Sequence, residues 1–412
     1  MKRAPMRPIF GQADLDEWLR APEFPVAIVG CDLISRGATL LHADLAQSLF
    51  VGCSMDLELA VKALREAVVV PAMPIKLPVP QFQPTPYSTA RDLYAGFDPQ
   101  VVDSWKQTPD HAAFTWFTSP ETGMPRALNI VEMMAARTHD TCVEKGAIGL
   151  LKELALPAVA VMGGHDVPRG RPVYREVALI TRELTRNGRL IVTGGGPGLM
   201  EAANLGAFLA PYPDQALDES VEVLGPASDF TSHAWLTTAC DVRARHLGSW
   251  NADELPGSRS LGIPTWLYGH EPPNLFATHS AKLFFNSLRE DGLVTVADGG
   301  IIFAEGNAGT VQEIFQDATQ NYYRDKARPT PMVLLVPEYW TRDADDLPQV
   351  DPSTGKVTDK RKPLWPLLRQ LATEKAFLDN VLLSSDREQI VAHLLRDAFP
   401  MAVEPSLAYR LG

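Results

Sequence analysis

The feature that most constrains the fold is a glycine cluster, Gly194-Gly195-Gly196-Pro197-Gly198, that lies between two ordered segments. Residues 189–192 before it form a short apolar run typical of a buried strand, and residues 201–208 after it have helical spacing. Glycines at a strand-to-helix junction let an anion approach the main chain, and the unpaired amides of the helix start carry the positive end of its dipole. We therefore expect this cluster to bind an anion such as phosphate.

A second loop of the same kind follows later in the chain. A short apolar run at residues 301–303 leads into Gly306-Asn307-Ala308-Gly309-Thr310, and a helical pattern continues over residues 311–323. One such loop is weak evidence, because many α/β proteins have a tight strand-to-helix turn without any ligand. Two loops in one unit predict a nucleotide held between them.

The segments around these loops alternate between strand and helix patterns. A helix is expected at residues 174–187, and a second one at residues 276–288. Buried strands are expected at residues 158–162, 189–192, 260–266, 301–303 and 332–336, with a further strand at residues 221–224 or in a neighbouring segment. Strand, helix, strand at this spacing predicts right-handed βαβ units on a parallel sheet, with the ligand crevice beyond the carboxyl ends of the strands. The predicted class is therefore α/β.

The length of 412 residues exceeds that of one ordinary core, so two or three domains are expected. We predict an N-terminal accessory α/β region over residues 1–150, and a nucleotide-binding domain with closing C-terminal helices over residues 151–412. Prolines between residues 73 and 84 forbid a regular helix and predict an extended segment packed on a surface. The N-terminal region contains no recognisable motif.

Composition excludes several classes of protein. Acidic residues outnumber basic ones by 50 to 38, and because the resulting field repels polyanions we expect no nucleic-acid partner. The cysteines lie far apart, without a CxxC pair or a histidine at a zinc spacing, so neither a metal site nor a disulfide framework is expected. No apolar run reaches membrane-spanning length and no secretory h-region follows the N-terminus. We expect a cytoplasmic protein without a membrane partner.

Two motifs match a known family. The run from Thr193 to Asn204, TGGGPGLMEAAN, together with the Gly-x-x-Gly-Thr-x-x-Glu loop at residues 306–313, resembles the Lonely-guy (LOG) family, once labelled possible lysine decarboxylases. The resemblance covers residues 157–340 and continues more weakly toward the C-terminus. Glu271-Pro272-Pro273-Asn274 is also similar to a segment of the longer bacterial members.

The resemblance implies a Rossmann-like, doubly wound parallel sheet flanked by helices, assembled as a dimer or a higher homo-oligomer. It also implies hydrolysis of the N-glycosidic bond of nucleoside 5′-monophosphates, which gives free base and ribose 5-phosphate. No cofactor is implied. A decarboxylase would need a lysine Schiff base and a pyridinium partner, and no candidate lysine stands beside either glycine loop.

The resemblance assigns roles to single residues. The family's catalytic glutamate falls on Glu313, where a carboxylate would stabilise an oxocarbenium-like transition state and orient water. The family's arginine lies near Arg289, at a spacing that differs by a single residue. The substrate-binding candidates come from the loops and from the segment after residue 270: Gly163, Gly164, His165, Gly194, Gly195, Gly196, Gly198, Met200, Glu201, Glu271, Asn274, Gly306, Asn307, Gly309 and Thr310.

Departures from the family pattern keep a second hypothesis open. Glu305-Gly306-Asn307 stands where the family has Pro-Gly-Gly, and a carboxylate beside a phosphate loop is unfavourable unless Glu305 turns away from the ligand. The alternative function is a non-hydrolysing nucleotide-binding or regulatory protein of the same fold. Ordinary roles also stay open: a surface carboxylate for Glu313, a surface ion pair for Arg289 and a hydrogen-bonded loop residue for His165.

Overall fold

The computed structural model describes residues 8–253, 255, 257–267, 271–323, 329–342 and 349–396. The chain forms two compact units, of which the first contains residues 1–86 and 125–147 and the second contains residues 87–124 and 148–412. The sequence predicted a single boundary near residue 150. The structure instead assigns residues 87–124 to the second unit, and the division falls within a long helix, after Ala147.

The described residues of the first unit contain a four-stranded parallel sheet of order β1-β2-β3-β4. Its elements in chain order are β1 (Pro8–Phe10), α1 (Gly11–Trp18), β2 (Ala27–Val29), α2 (Ala38–His42), β3 (Leu49–Val51), α3 (Leu57–Glu66) and β4 (Val68–Val70). Residues 73–84 form neither helix nor strand, as predicted. Phe82 from this segment packs on Gly30 and Gly52, where an added Cβ would lie within 2.8 Å of its side chain. The N-terminal α/β region is confirmed.

The described residues of the second unit contain an eight-stranded sheet of order β12-β11-β10-β6-β7-β8-β9-β5, in which only the β5–β9 pair is antiparallel. Its strands are β5 (Tyr87–Ser88), β6 (Ala158–Met162), β7 (Leu190–Thr193), β8 (Ser260–Gly262), β9 (His279–Ser280), β10 (Gly300–Phe303), β11 (Met332–Leu335) and β12 (Val381–Ser384). From β6 the chain builds outward through β7 and β8, then returns to the other side of β6 with β10, β11 and β12. This is the Rossmann order, with its switch point between β6 and β10. The predicted Rossmann-like sheet is confirmed.

The helices that follow α3 belong to the second unit and flank its sheet, except that α5 lies for the most part in the first unit. They are α4 (Pro109–Phe117), α5 (Ile130–Leu154), α6 (Pro172–Arg186), α7 (Leu199–Phe208), α8 (Gln215–Leu224), α9 (His233–Leu247), α10 (Asn286–Val296), α11 (Ala308–Tyr323), α12 (Pro337–Trp340), α13 (Trp365–Glu374) and α14 (Arg387–Leu395). The helices α6 and α7 approach closely, because a Cβ on Gly206 of α7 would lie only 2.1 Å from the carbonyl oxygen of Ala178 on α6. None of the helices in the described ranges is long and apolar enough to cross a bilayer.

Two sequence predictions are wrong. Residues 221–224, predicted as a strand, end the helix α8, whose buried residues Ala216, Leu217, Ser220 and Leu224 follow helical spacing. Residues 276–288, predicted as a helix, contain β9 and a bridge residue, Leu283, before α10 begins. This segment is buried along nearly its whole length, so it lacks the polar face of an amphipathic helix. The closing C-terminal helices expected from the sequence correspond to α13 and α14.

Candidate functional site

Three strands of the large sheet end side by side and continue into loops that contain glycine. We name them the β6 loop (residues 163–165), the β7 loop (residues 194–198) and the β10 loop (residues 304–307). Because β6, β7 and β10 are neighbouring parallel strands, all three loops lie at the carboxyl edge of the sheet. Open α/β sheets bind their ligands at this edge, at the switch point.

Main-chain contacts join the three loops into one surface. The amide of Gly164 donates to the carbonyl oxygen of Glu305 at 2.8 Å, and the amide of Leu199 donates to the carbonyl oxygen of Gly164 at 3.1 Å. Gly198 has a φ of +67°, and a Cβ there would lie 2.3 Å from the carbonyl oxygen of Gly164. A Cβ on Gly306 would lie 2.2 Å from the hydroxyl oxygen of Thr310. Several of the predicted glycines are therefore required by close main-chain packing.

The β7 loop is held from beneath by Asn274, which is fully buried. The Asn274 amide donates to the carbonyl oxygen of Gly195 at 2.9 Å, and its Nδ2 donates to the carbonyl oxygen of Gly196 at 2.9 Å. The Gly195 amide donates to the hydroxyl oxygen of Thr193, also at 2.9 Å. Asn274 thus supports the β7 loop from the protein interior by binding two of its carbonyl oxygens. None of its polar atoms is directed to solvent.

Several other loop amides have no hydrogen-bond partner in the part of the chain that the structure describes, and of their residues Asn307 is exposed whereas the glycines are buried. Within the described residues, the amides of Gly194, Gly196 and Gly198 donate no hydrogen bond, and neither do those of Gly306 and Asn307. The β10 loop leads directly into the first turn of α11, whose dipole favours an anion at this end. These amides, on both sides of the β6 loop, are the candidate donors of an anion site.

Two residues of α11 extend this anion site. Thr310 is only 6% exposed and its hydroxyl oxygen lies beside the main chain of Gly306. A Cβ on Gly309 would meet no atom within 4 Å and Gly309 is exposed, so the helix surface at this position is open. A hydroxyl donor and an open approach are what a phosphate group needs at a helix N-terminus.

Glu305, the residue that departs from the LOG motif, has its carboxylate paired with an arginine in the structure. The guanidinium of Arg171 donates from Nη2 to Oε1 of Glu305 at 3.1 Å. The adjoining carbonyl oxygen of Gly306 accepts a hydrogen bond from the hydroxyl of Tyr339 at 2.5 Å. The negative charge of Glu305 is therefore paired with a cation beside the β10 loop.

Glu313 lies on α11, beyond the β10 loop, and is only 7% exposed. Its carboxylate accepts no hydrogen bond from the residues that the structure describes. Burial raises the pKa of Glu313 to about 7, and the nearby charge of Arg289 opposes this rise. A half-ionised, buried carboxyl group beside an anion site is suited to acid–base chemistry near neutral pH.

Arg289 projects from α10 toward the β7 loop. Its Nε donates to the side-chain oxygen of Asn286 at 2.7 Å, and its Nη1 lies 3.0 Å from the position of a Cβ on Gly194. The Nη2 of Arg289 lies 3.7 Å from Oε1 of Glu290, and only 14% of the Arg289 side chain is exposed. This arrangement does not fit an ordinary surface ion pair. Its charge lowers the pKa of both Glu313 and Glu271, so the guanidinium lies near both carboxyl groups.

His165 and Glu271 form a second cluster beside the β7 loop. The Nδ1 of His165 lies 3.7 Å from Oε1 of Glu271, and Oε2 of Glu271 lies 3.6 Å from the position of a Cβ on Gly196. Burial raises the pKa of Glu271, while the charges of His165, Arg289 and Lys282 oppose the rise. Two carboxyl groups thus lie around the β7 loop: Glu271 near Gly196, and Glu313 close to Arg289, whose guanidinium approaches Gly194.

Two more predicted binding residues, like Asn274, have their side chains in the interior or against the main chain. Glu201 is fully buried and pairs with Arg169, whose Nε donates to Oε2 of Glu201 at 2.8 Å, and the hydroxyl of Tyr174 donates to the same oxygen at 3.0 Å. The Glu201 carboxylate is thus part of the core below the crevice. Met200 packs its thioether against the main chain of Gly194 and Gly196 and supports the β7 loop.

A cavity beside His165 and Glu271 was not anticipated from the sequence. Its interior volume is only about 20 Å³, about the space of one water molecule, and it is partly open to solvent. Its lining combines aromatic and polar residues: Tyr94, Trp105, Thr108, Asp110, Phe230, Thr231, Ser232, His233, Trp235, Leu236 and Pro272. Phe230 meets the ring of His165 edge to face, with centroids 6.0 Å apart, and Pro272 directly follows Glu271.

No protein-family model matches the chain, and no curated protein sequence matches it either. The resemblance to the LOG family therefore stays a prediction that rests on the two loop motifs. Among the described residues, no group of three or more His, Cys, Asp or Glu side chains is arranged to hold a metal ion.

Proposed function

We propose that this protein hydrolyses the N-glycosidic bond of nucleoside 5′-monophosphates and releases free base and ribose 5-phosphate. The proposal rests on one observation. Glu313 is a buried carboxyl group with a pKa of about 7, and it accepts no hydrogen bond from the described residues. It lies just beyond a helix N-terminus whose amides donate no hydrogen bond within the described part of the protein. An anion site next to a group that can stabilise or take up charge suits a substrate with a phosphate near its reacting carbon.

The 5′-phosphate binds at the β10 loop in this proposal. The amides of Gly306 and Asn307 and the hydroxyl of Thr310 are the donors, and the α11 dipole adds to the attraction. The free amides of the β7 loop supply a second set of donors on the far side of the β6 loop. Arg171 keeps the Glu305 carboxylate paired, so that its charge does not repel the phosphate.

The reaction breaks the bond between C1′ of the ribose and a ring nitrogen of the base. Positive charge develops on the ribose, and ionised Glu313 stabilises it across a short distance in a buried environment. The same carboxylate accepts a proton from the water that adds to C1′. Arg289 favours the ionised form of Glu313, since its charge lowers the pKa of this carboxyl group.

The LOG resemblance agrees with this reaction and extends the proposal to membership of that family. It further implies a cytoplasmic homodimer or higher homo-oligomer that needs no cofactor. These parts of the proposal rest on the TGGGPGLMEAAN motif and on the Gly-x-x-Gly-Thr-x-x-Glu motif.

The test is release of free base from a panel of purine and pyrimidine nucleoside 5′-monophosphates, separated by chromatography. We expect base and ribose 5-phosphate in equal amounts from at least one substrate. Glu313→Gln should lower kcat by at least about 100-fold. The control Glu222→Gln changes an exposed carboxylate on α8 and should retain full activity. Absence of base from every nucleotide at high enzyme concentration would exclude the proposal.

The alternative is nucleotide binding without hydrolysis, and the Glu305–Arg171 pair beside the β10 loop favours it, because this pair departs from the family pattern. Calorimetry separates the two functions. Tight nucleotide binding by a catalytically silent protein supports the alternative. Loss of activity with retained binding in Glu313→Ala excludes it.

A further inference from the structure

We infer that Glu271 is the general acid that protonates the departing base, and that His165 positions its carboxyl group. This inference rests on the proposed function and adds a second catalytic residue to it. It starts from the arrangement of two carboxyl groups around one glycine loop. Glu271 lies next to Gly196, and Glu313 lies beyond the arginine that contacts Gly194.

Cleavage of a glycosidic bond commonly uses two carboxyl groups with different tasks. One stabilises the sugar or activates water, and the other protonates the leaving group. A nucleobase leaves poorly as an anion, so a proton on one of its ring nitrogens lowers the barrier. Glu313 has the first task in the proposed function, and the second task needs an acid on the side where the base lies.

The surroundings of Glu271 fit the base end of the substrate. The phosphate donors belong to the β10 loop, whereas Glu271 contacts the β7 loop and faces His165 of the β6 loop. Flat apolar surfaces lie beside this pair, since the ring of Phe230 packs on His165 and Pro272 is the neighbour of Glu271. Flat aromatic and proline surfaces are favourable contacts for a nucleobase.

The charges around Glu271 keep it suitable as a proton donor. Burial raises its pKa, so it holds a proton to higher pH than an exposed glutamate. Three charged groups face it: His165 on the β6 loop, Arg289 on α10, and Lys282 on the segment before α10. Lys282 is itself paired with Asp110 at 2.7 Å, and Arg289 is bonded to Asn286. The carboxyl group is therefore partly buried, with 27% of its side chain exposed, and the charges of Arg289 and Lys282 stabilise the anion left after proton transfer.

The proton and electron balance is complete with water as the only co-reactant. The C1′–N bond breaks and its electron pair goes to the base nitrogen, while the Glu271 proton moves to a nitrogen of the same base. A water oxygen bonds to C1′, and the Glu313 carboxylate takes the proton that this water loses. Exchange of protons with solvent then returns both carboxyl groups to their starting states.

The experiment compares two substrates that differ in their need for a proton. One is the best nucleoside monophosphate, and the other is 4-nitrophenyl β-D-ribofuranoside 5-phosphate, whose nitrophenolate leaves without protonation. We expect Glu271→Gln to lower kcat by about 100-fold on the nucleotide and to stay within a few-fold of wild type on the nitrophenyl compound. Glu313→Gln should lower both. An equal loss on both substrates, or no loss, in Glu271→Gln overturns the inference.

A pH profile gives a second readout. For the nucleotide, kcat/KM of the wild type should fall on the basic side as Glu271 loses its proton, and this fall should be absent in Glu271→Gln. His165→Asn should shift the basic limb and lower kcat with KM nearly unchanged. A profile that is identical in wild type and Glu271→Gln overturns the inference, even if the nitrophenyl compound is not turned over.

The outcomes separate the inference from the proposed function. Wild-type protein that releases neither base nor nitrophenolate contradicts the proposed function itself. Active wild type with a Glu271→Gln variant that does not distinguish the substrates contradicts only the role of Glu271. Thermal unfolding and the affinity for ribose 5-phosphate should match in wild type and Glu271→Gln, which excludes a folding defect.

Discussion

The protonation of Glu313 predicts a specific dependence of stability on pH. The pKa of this buried carboxyl group rises from its ordinary value of 4.5 to about 7 in the folded protein. Between these values the native protein holds a proton that the unfolded chain has already released. Because the native state binds more protons than the unfolded state, the free energy of unfolding falls as the pH rises through this window.

The size of the effect follows from the two pKa values. A tenfold change in an acid dissociation constant corresponds to about 1.4 kcal/mol, so ionised Glu313 destabilises the native state by about 3 kcal/mol above pH 7. Glu313→Gln removes the titration and keeps the shape of the side chain. Relative to wild type, the variant should gain about 3 kcal/mol of unfolding free energy between pH 4.5 and pH 8.

Equilibrium urea unfolding over this pH range measures the difference directly. Glu222→Gln is the matched control, since Glu222 is an exposed carboxylate of the same unit and its replacement should give a difference that does not change with pH. A difference between wild type and Glu313→Gln that stays constant from pH 4.5 to pH 8 would refute the buried, proton-holding carboxyl group on which the mechanism depends.

Three further variants test the loops and their supports. Gly198→Ala should destabilise the fold by more than about 1 kcal/mol in thermal unfolding, because its φ is +67° and a Cβ would overlap a carbonyl oxygen. Its control is Gly149→Ala at an open position of α5, which should stabilise the fold by up to about 1 kcal/mol. Equal effects of the two changes would contradict this packing. Glu201→Gln leaves the buried Arg169 without its ion partner and should lower the free energy of unfolding by about 3–5 kcal/mol, measured with urea. A loss below about 1 kcal/mol would argue against a buried pair. Arg171→Ala leaves Glu305 unpaired and should weaken phosphate binding about fivefold at low salt, as measured by calorimetry. An unchanged phosphate affinity would contradict this role of Arg171.

The central strands could be predicted because a parallel sheet is buried on both faces. The strands at residues 158–162 and 301–303 are continuous apolar runs, which need no partner information to be recognised. The helix α9 was missed because its buried side includes Arg243, which breaks the apolar pattern. The strand β12 was missed because pairing with β11, far away in sequence, defines it more than its own short segment does.

The glycine loops were visible in the sequence for a related reason. Positive φ angles and close main-chain contacts make glycine a local requirement at Gly195 and Gly198, so the residue type reveals the geometry. The role of Glu201 was not visible, because its partner Arg169 lies 32 positions away and nothing in either segment links the two. The compensation of Glu305 by Arg171 spans 134 positions and is equally hidden from local patterns.

The central claim is that a nucleoside monophosphate binds across the switch point with its phosphate on the β10 loop and its ribose at Glu313. A crystal structure of Glu313→Gln with a bound nucleoside 5′-monophosphate tests it most directly. We predict phosphate oxygens at about 2.7–3.2 Å from the amides of Gly306 and Asn307, with C1′ facing the side chain at position 313. A phosphate bound away from the β10 loop, or a ribose that does not approach residue 313, would contradict the account.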